Sequence, residues 1–152
     1  MAQTSKLESE IEIKSPAREY FKHFLDHTIH FHKVTPHDSR RVHILEGDGK
    51  SVGSITSWNY LSDDGKVLSA KAELEALDEE NMSLTLRFFQ GDIAQLYKYY
   101  KLNVQVIENK EKSFVKCCIE YEKVDEGVAD SNMYMDAACR LVNWMDSYAL
   151  QA

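Results

Sequence analysis

Residues 43–54 read HILEGDGKSVGS, a stretch holding three of the chain's six glycines and containing a Gly-Lys-Ser run that invites a phosphate. A phosphate-binding loop places a glycine, four residues, then Gly-Lys-Ser/Thr ahead of a helix, so that backbone N–H groups converge on the anion. Counting back from Gly49-Lys50-Ser51, that first glycine would have to stand where Ile44 stands. The dinucleotide pattern fails as well, because Gly53 falls one place late after Gly47 and Gly49. The continuation VGSITSWNYL is rich in β-branched and aromatic residues and reads as a strand, where both nucleotide motifs need a helix. Residues 43–54 are therefore read as a hairpin turn between two strands.

Working outward from that hairpin, strand patterns run in series. Upstream lies RVHILEG. Downstream, KVLSAKAELEALD alternates, with Leu68, Ala70, Ala72, Leu74 and Ala76 expected on one face and Ser69, Lys71, Glu73 and Glu75 on the other. NMSLTLRFF groups Met82, Leu84, Leu86 and Phe88; QLYKYYKLNVQVI groups Tyr100, Leu102, Val104 and Val106; SFVKCCIEYEK groups Val115, Cys117, Ile119 and Tyr121. The links SDDG, LDEEN, QGD and ENKEK are short and polar, as hairpins require. At the start, LESEIEI sets Leu7, Ile11 and Ile13 against Glu8, Glu10 and Glu12. KSPAREYFKHFLDH then opens a helix, with Ser15 as the expected cap, Pro16 at the first helical position and an apolar stripe of Tyr20, Phe21, Phe24 and Leu25. The period changes again in DSNMYMDAACRLVNWMDSYAL. There Tyr134, Ala137, Ala138, Leu141, Met145 and Tyr148 recur at three and four, predicting a closing helix of about twenty residues, capped by Asp130 or Ser131.

Consecutive hairpins make an antiparallel sheet with one apolar face, and the closing helix is the element long enough to cover it. At 152 residues the chain suits one domain. The net charge of −7 argues against nucleic acid or an anionic membrane surface as the main partner. No run approaches the length of a membrane span. Three cysteines, two of them adjacent, do not form a disulfide framework, and a reducing compartment such as the cytosol fits best.

The expected inner face is unusual in its small side chains: Ser9, Ala70, Ala72 and Cys117 on the strands, Ala137 and Ala138 on the helix. Small residues on facing layers either let the layers approach closely or leave a hollow. A sheet bent around a helix cannot approach it everywhere, so a hollow with apolar walls and a few polar tips stands beside the reading of a fully packed core.

Four blocks, LEGDGKSVGSITSWNY, KAELEALDEEN, QGDIAQLYKYYKLNVQV and IEYEKVDEG, give the chain a resemblance to the plant major latex proteins, within the birch-pollen allergens and intracellular pathogenesis-related proteins. The likeness covers nearly the whole chain. It implies an α+β helix-grip (START-like) domain over residues 1–152. Seven antiparallel strands would curve around a long C-terminal helix, with two short helices and an internal apolar cavity. It further implies a cytoplasmic protein that binds a hydrophobic plant metabolite of terpenoid, steroid, alkaloid or lipid type, with no cofactor and no metal. A monomer or weak homodimer is expected, with neighbouring biosynthetic enzymes as possible partners. Some relatives steer reactive intermediates by cyclisation or isomerisation, so a cofactor-free enzyme is the alternative, and a signalling or defence partner acting through its surface is a third. The chain departs from the family where Leu45 replaces a usual histidine, where Lys50 stands near a usual tryptophan, and where GVADSN lacks a proline before the last helix.

Carried onto that cavity, the expected wall comprises Ile11, Ile55, Leu68, Ala70, Leu84, Leu86 and Phe88. Tyr100, Leu102, Cys117 and Ile119 continue it, the helix adds Tyr134, Ala138 and Leu141, and His30 stands at the entrance. Tyrosine phenols can orient a ligand carbonyl or donate a proton while their rings line a wall. Tyr100, Tyr121 and His27 are accordingly the candidate proton donors or acceptors. All six histidines fall between positions 23 and 43. His23, His27 and His30 would share a face if the first helix extends that far, either as an entrance-lining surface or with metal-ligand spacing.

Overall fold

The computed structural model describes residues 4–26, 41–61, 65–128 and 132–151. In chain order these form β1 (Ser5–Ile13), α1 (Ala17–Leu25), β2 (Arg41–Glu46), β3 (Ile55–Leu61), β4 (Val67–Asp78) and β5 (Ser83–Gly91). A short α2 (Asp92–Leu96), β6 (Tyr97–Asn109), β7 (Lys112–Lys123) and α3 (Asn132–Gln151) follow among the described residues. The strands make one antiparallel sheet in the order β1-β7-β6-β5-β4-β3-β2; consecutive links give the run from β2 to β7, and β1 closes on β7 by a long-range pairing. Its inner face carries Val104, Val106, Val115, Cys117 and Ile119, all at most 1% exposed. α3 lies across that face with Val142 and Met145 buried, and α1 adds Tyr20, Phe21 and Phe24 at one end.

Four bulges bend the sheet. Between β4 and β5, Glu75 and Phe89 are each an extra residue, because the register jumps between Leu74 and Ala76 and between Lys71 and Ala72. Lys98 is extra on β6 opposite β7, and Leu45 on β2 opposite β3. An extra residue locally twists a strand and reverses its in/out alternation. Glu75 therefore corrects the expected inner face: Ala76 is exposed, and Leu77 packs against the core in its place. The bulge at Lys98 lets Tyr97 and Tyr100, three residues apart, both turn inward, while Tyr99 lies outside against Lys101. The convex face carries an ion-pair chain, with Arg87 on Glu73 at 2.7 Å and Glu75 reaching both Arg87 and Lys101.

The expected start of α1 needs correcting. Pro16 occupies the cap position itself, with no side-chain cap bond. Ser15 turns instead to α3, where Asp146 accepts from the Ser15 N–H at 2.9 Å, from Ser15 Oγ at 2.5 Å and from the Lys14 N–H at 2.9 Å. A second tie runs from Tyr20, whose hydroxyl donates to the Val142 carbonyl at 3.1 Å. These bonds anchor α3 to the β1–α1 turn, so the helix is held at its end while its middle spans the sheet. α2 stands where a polar link ahead of a strand was expected. Gly91, at φ +100°, makes the turn, and Asp92 accepts the Ser69 N–H at 2.8 Å. The closing helix runs twenty residues, as its periodicity predicts; the expected caps Asp130 and Ser131 lie outside the described residues.

The glycine-dense stretch over 43–54 forms a hairpin between β2 and β3. Gly47, Gly49 and Gly53 all have positive φ, the backbone a tight multi-residue turn needs. The N–H groups of Lys50 and Ser51 do converge on an anion, but it is the chain's own: both donate to Asp48 Oδ1 at 2.8 Å, and Ser51 Oγ donates to Oδ2 at 3.0 Å. These bonds hold the Asp48 carboxyl down at about 2. Lys50, the residue a nucleotide would need, pairs with Asp26 just past α1 at 2.8 Å. The donors of a phosphate cradle are thus already used.

Candidate functional site

Bending the sheet away from the middle of α3 leaves an interior cavity. Its volume is about 110 Å³, below the ~300–1,000 Å³ that drug-sized ligand sites span.

Every layer contributes to the wall. Trp58 comes from β3, Ala70 from β4, Leu86 and Phe88 from β5, Tyr100 and Leu102 from β6 and Ile119 from β7. Phe24 of α1 and Ile93 of α2 close two corners. α3 supplies Tyr134, Ala137, Ala138, Arg140, Leu141 and Trp144, one face at helical spacing. The small residues Ala70, Ala137 and Ala138 sit where side chains would otherwise fill the space, so the hollow reading holds over the fully packed one.

The polar tips are aromatic. Tyr100 packs edge-on against Phe88 at 5.6 Å and Tyr134 at 5.5 Å, and Trp58 against Phe88 at 5.9 Å. Tyr97, behind the wall, touches Tyr100, Tyr121 and Tyr134 with centroids 5.4 to 5.9 Å apart. Such tilted and edge-on contacts fix ring orientations, so the Tyr100 and Tyr134 phenols are positioned before any ligand arrives. Trp58 Nε1 donates to Thr56 Oγ1 at 2.8 Å.

Among the expected wall residues, the structure brings Ala70, Leu86, Phe88, Tyr100, Leu102, Ile119, Tyr134, Ala138 and Leu141 to this cavity. It places others elsewhere. Ile55 pairs with Glu73 on the opposite face of the sheet, and Thr56 and Trp58 take the inward positions of β3. Cys117 is buried away from the cavity near Cys139, whose Sγ donates to Ser9 Oγ at 3.5 Å beside it. Burial pushes the Cys117 thiol up to about 12, which keeps it an unreactive core residue. Leu84 borders a smaller void under the hairpin, and Ile11 and Leu68 are half-buried on their strands without reaching the cavity. Tyr121 is buried behind Tyr97 and does not line the cavity, which corrects its expected access to a ligand. His27 and His30 lie outside the described residues; His23 sits on α1 with its ring edge-on to Tyr148 at 5.7 Å.

Phe24, Trp58, Ile93, Arg140 and Trp144 were not anticipated as wall residues, and Ala137 was expected only on the inner face of the helix. Trp58 was legible, since Ser54, Thr56 and Trp58 alternate, but Ile55 drew the apolar assignment to the wrong parity. Ile93 depended on α2, which the QGD link concealed.

The sequence pattern of the pathogenesis-related protein Bet v 1 family matches residues 2–152. The chain belongs to this family. It is 34% identical over 147 residues to MLP-like protein 31 of Arabidopsis thaliana, covering 95% of this chain and 85% of that one. Solved structures superpose closely. Ginseng major latex-like protein 151 of Panax ginseng aligns with a TM-score of 0.89 at 31% identity, over 97% of this chain and 98% of the other. Norcoclaurine synthase from Thalictrum flavum shares the fold at a TM-score of 0.82 and 17% identity, over 99% and 89%. Seven antiparallel strands gripping a C-terminal helix are the Bet v 1 helix-grip fold, as the resemblance implied. No helix among the described residues is long and apolar enough to cross a membrane.

Proposed function

We propose that this protein binds a hydrophobic plant small molecule, of terpenoid, steroid, alkaloid or lipid type, in the cavity between the sheet and α3, as a carrier or sequestering protein. The observation that supports this reading is the cavity itself: an apolar interior space whose wall holds two tyrosines already oriented by neighbouring rings. Burial of ligand surface at about 25 cal/mol per Å² supplies the driving force, and a phenol hydrogen bond sets orientation. The same geometry serves a cofactor-free cyclase or isomerase, because excluding water and presenting one phenol suffice to steer a reactive enol. Tyr100, which lines the cavity, is the residue we propose for that role, and the fold shared with norcoclaurine synthase is compatible with it.

The test is displacement of Nile red, a neutral apolar dye, by apolar metabolites. Saturable binding is expected, and Ala138→Leu, which puts a larger side chain into the cavity, should raise the dye's Kd at least about tenfold with the fold intact by circular dichroism. Unchanged dye affinity in that variant would place the binding elsewhere and overturn the reading. Altered product ratios from a freshly generated reactive enol, lost in Tyr100→Phe, would establish the enzyme.

A further inference from the structure

Arg140 is the one charged side chain among the described residues that line the cavity. It is exposed at its position on α3, and no ion pair or hydrogen bond engages it among the described residues. Arginine stems lie readily along apolar surface while the guanidinium stays wet, so a cation can border an apolar cavity at no desolvation cost. Several other cations among the described residues are matched: Arg87 and Lys101 by Glu73 and Glu75, Lys50 by Asp26, and Arg18 by the carbonyls of Glu79 and Glu80. In a chain of net charge −7, an unmatched arginine beside an apolar cavity is a site that selects charge.

We infer that the cavity takes an amphipathic monoanion, an apolar body inside with a carboxylate held by Arg140 at the solvent side. This rests on the ligand-binding reading above and adds the ligand's charge class to it. The guanidinium's planar fork matches a carboxylate in two parallel hydrogen bonds. One charge is favoured over two, because no second lysine or arginine lines the cavity among the described residues. A phosphate monoester would keep an unmatched negative charge against an acidic protein.

The test compares decanoate with 1-decanol, matched in chain length, as competitors of Nile red at neutral pH and low salt. Wild-type protein should bind decanoate about tenfold more tightly than decanol, the scale of one charge-assisted pair at a partly wet site. That preference should shrink in 0.5 M salt and disappear in Arg140→Gln, where decanoate loses about tenfold more affinity than decanol does. Decanol binding with no preference for decanoate would overturn the anion assignment while leaving the cavity reading standing. Failure of decanol, decanoate and Nile red alike would overturn the cavity reading and this inference together. A preference for decanoate that survives Arg140→Gln, or a loss of affinity in that variant equal for both competitors, would also refute the role given to Arg140. Decyl phosphate binding more tightly than decanoate would refute the choice of a monoanion.

Discussion

Asp146→Ala should loosen the helix that roofs the cavity, and the structure sets the size of the effect. The carboxylate accepts three hydrogen bonds, from the Lys14 N–H, the Ser15 N–H and Ser15 Oγ, at 2.5 to 2.9 Å. The Lys14 N–H is only partly buried and can turn to water when the acceptor goes. The Ser15 hydroxyl keeps a weaker acceptor in the Asp146 carbonyl at 3.3 Å. The buried Ser15 N–H keeps none of its present bonding and bears most of the cost. Losing one well-formed bond to a charge and stranding one buried donor comes to about 3 kcal/mol. For a domain of this size that is a fall in Tm of roughly 6–12 °C. Urea unfolding at pH 7, with m held common, measures it. Ser15→Ala should cost about 1–2 kcal/mol, because it removes the hydroxyl but leaves the backbone pair. The double variant should then cost about 1 kcal/mol less than the sum. A loss below about 1 kcal/mol for Asp146→Ala, or strict additivity with Ser15→Ala, would refute the claim that this carboxylate ties the helix down.

Two further outcomes are expected. Gly91→Ala should destabilise by about 2–3 kcal/mol, since φ is +100° there and a Cβ would fall on the Ser69 carbonyl; a cost under about 0.5 kcal/mol would show the turn to be adaptable. Stability should fall on the alkaline side. Burial lifts the Cys117 thiol to about 12 and raises the Tyr20 phenol, so both hold their protons in the fold at pH values where the unfolded chain releases them. The stabilisation is complete below about pH 8.5, the unfolded thiol's range, and drains by up to about 1.4 kcal/mol per pH unit per group as the pH climbs towards 12. Urea midpoints that stay level from pH 8 to 10.5, or that fall as steeply in Cys117→Val, would contradict this.

How much of the site could be read beforehand depended on whether alternation survived along each strand. β6 beyond Tyr100 and all of β7 keep strict period two, and Tyr100, Leu102, Val104, Val106, Val115, Cys117, Ile119 and Tyr121 all came out buried as the pattern indicated. Which of them border the cavity was not legible, because Cys117 and Ile119 share a face and differ only in what α3 places opposite them. β4 was readable as far as Leu74 and reversed beyond it, since a bulge inserts a residue without a composition signal at Glu75. The Asp146 tie joins residues about 130 positions apart, a pairing no local pattern encodes. Arg140 reads on a helical wheel as one more solvated charge, and its setting emerges only once Tyr134, Ala137 and Trp144 are seen around the same opening.

The displaced residues at Glu75, Phe89 and Lys98 separate two properties of this protein that most cores entangle. How the sheet bends is a matter of main-chain count, shaped by these insertions in the ladder and accompanied on the convex side by salt links. What the interior will accept is a matter of side-chain identity at a handful of alanines and aromatics. Exchanging those side chains alters the guest while the scaffold keeps its shape, which makes the interior free to diversify on a constant frame.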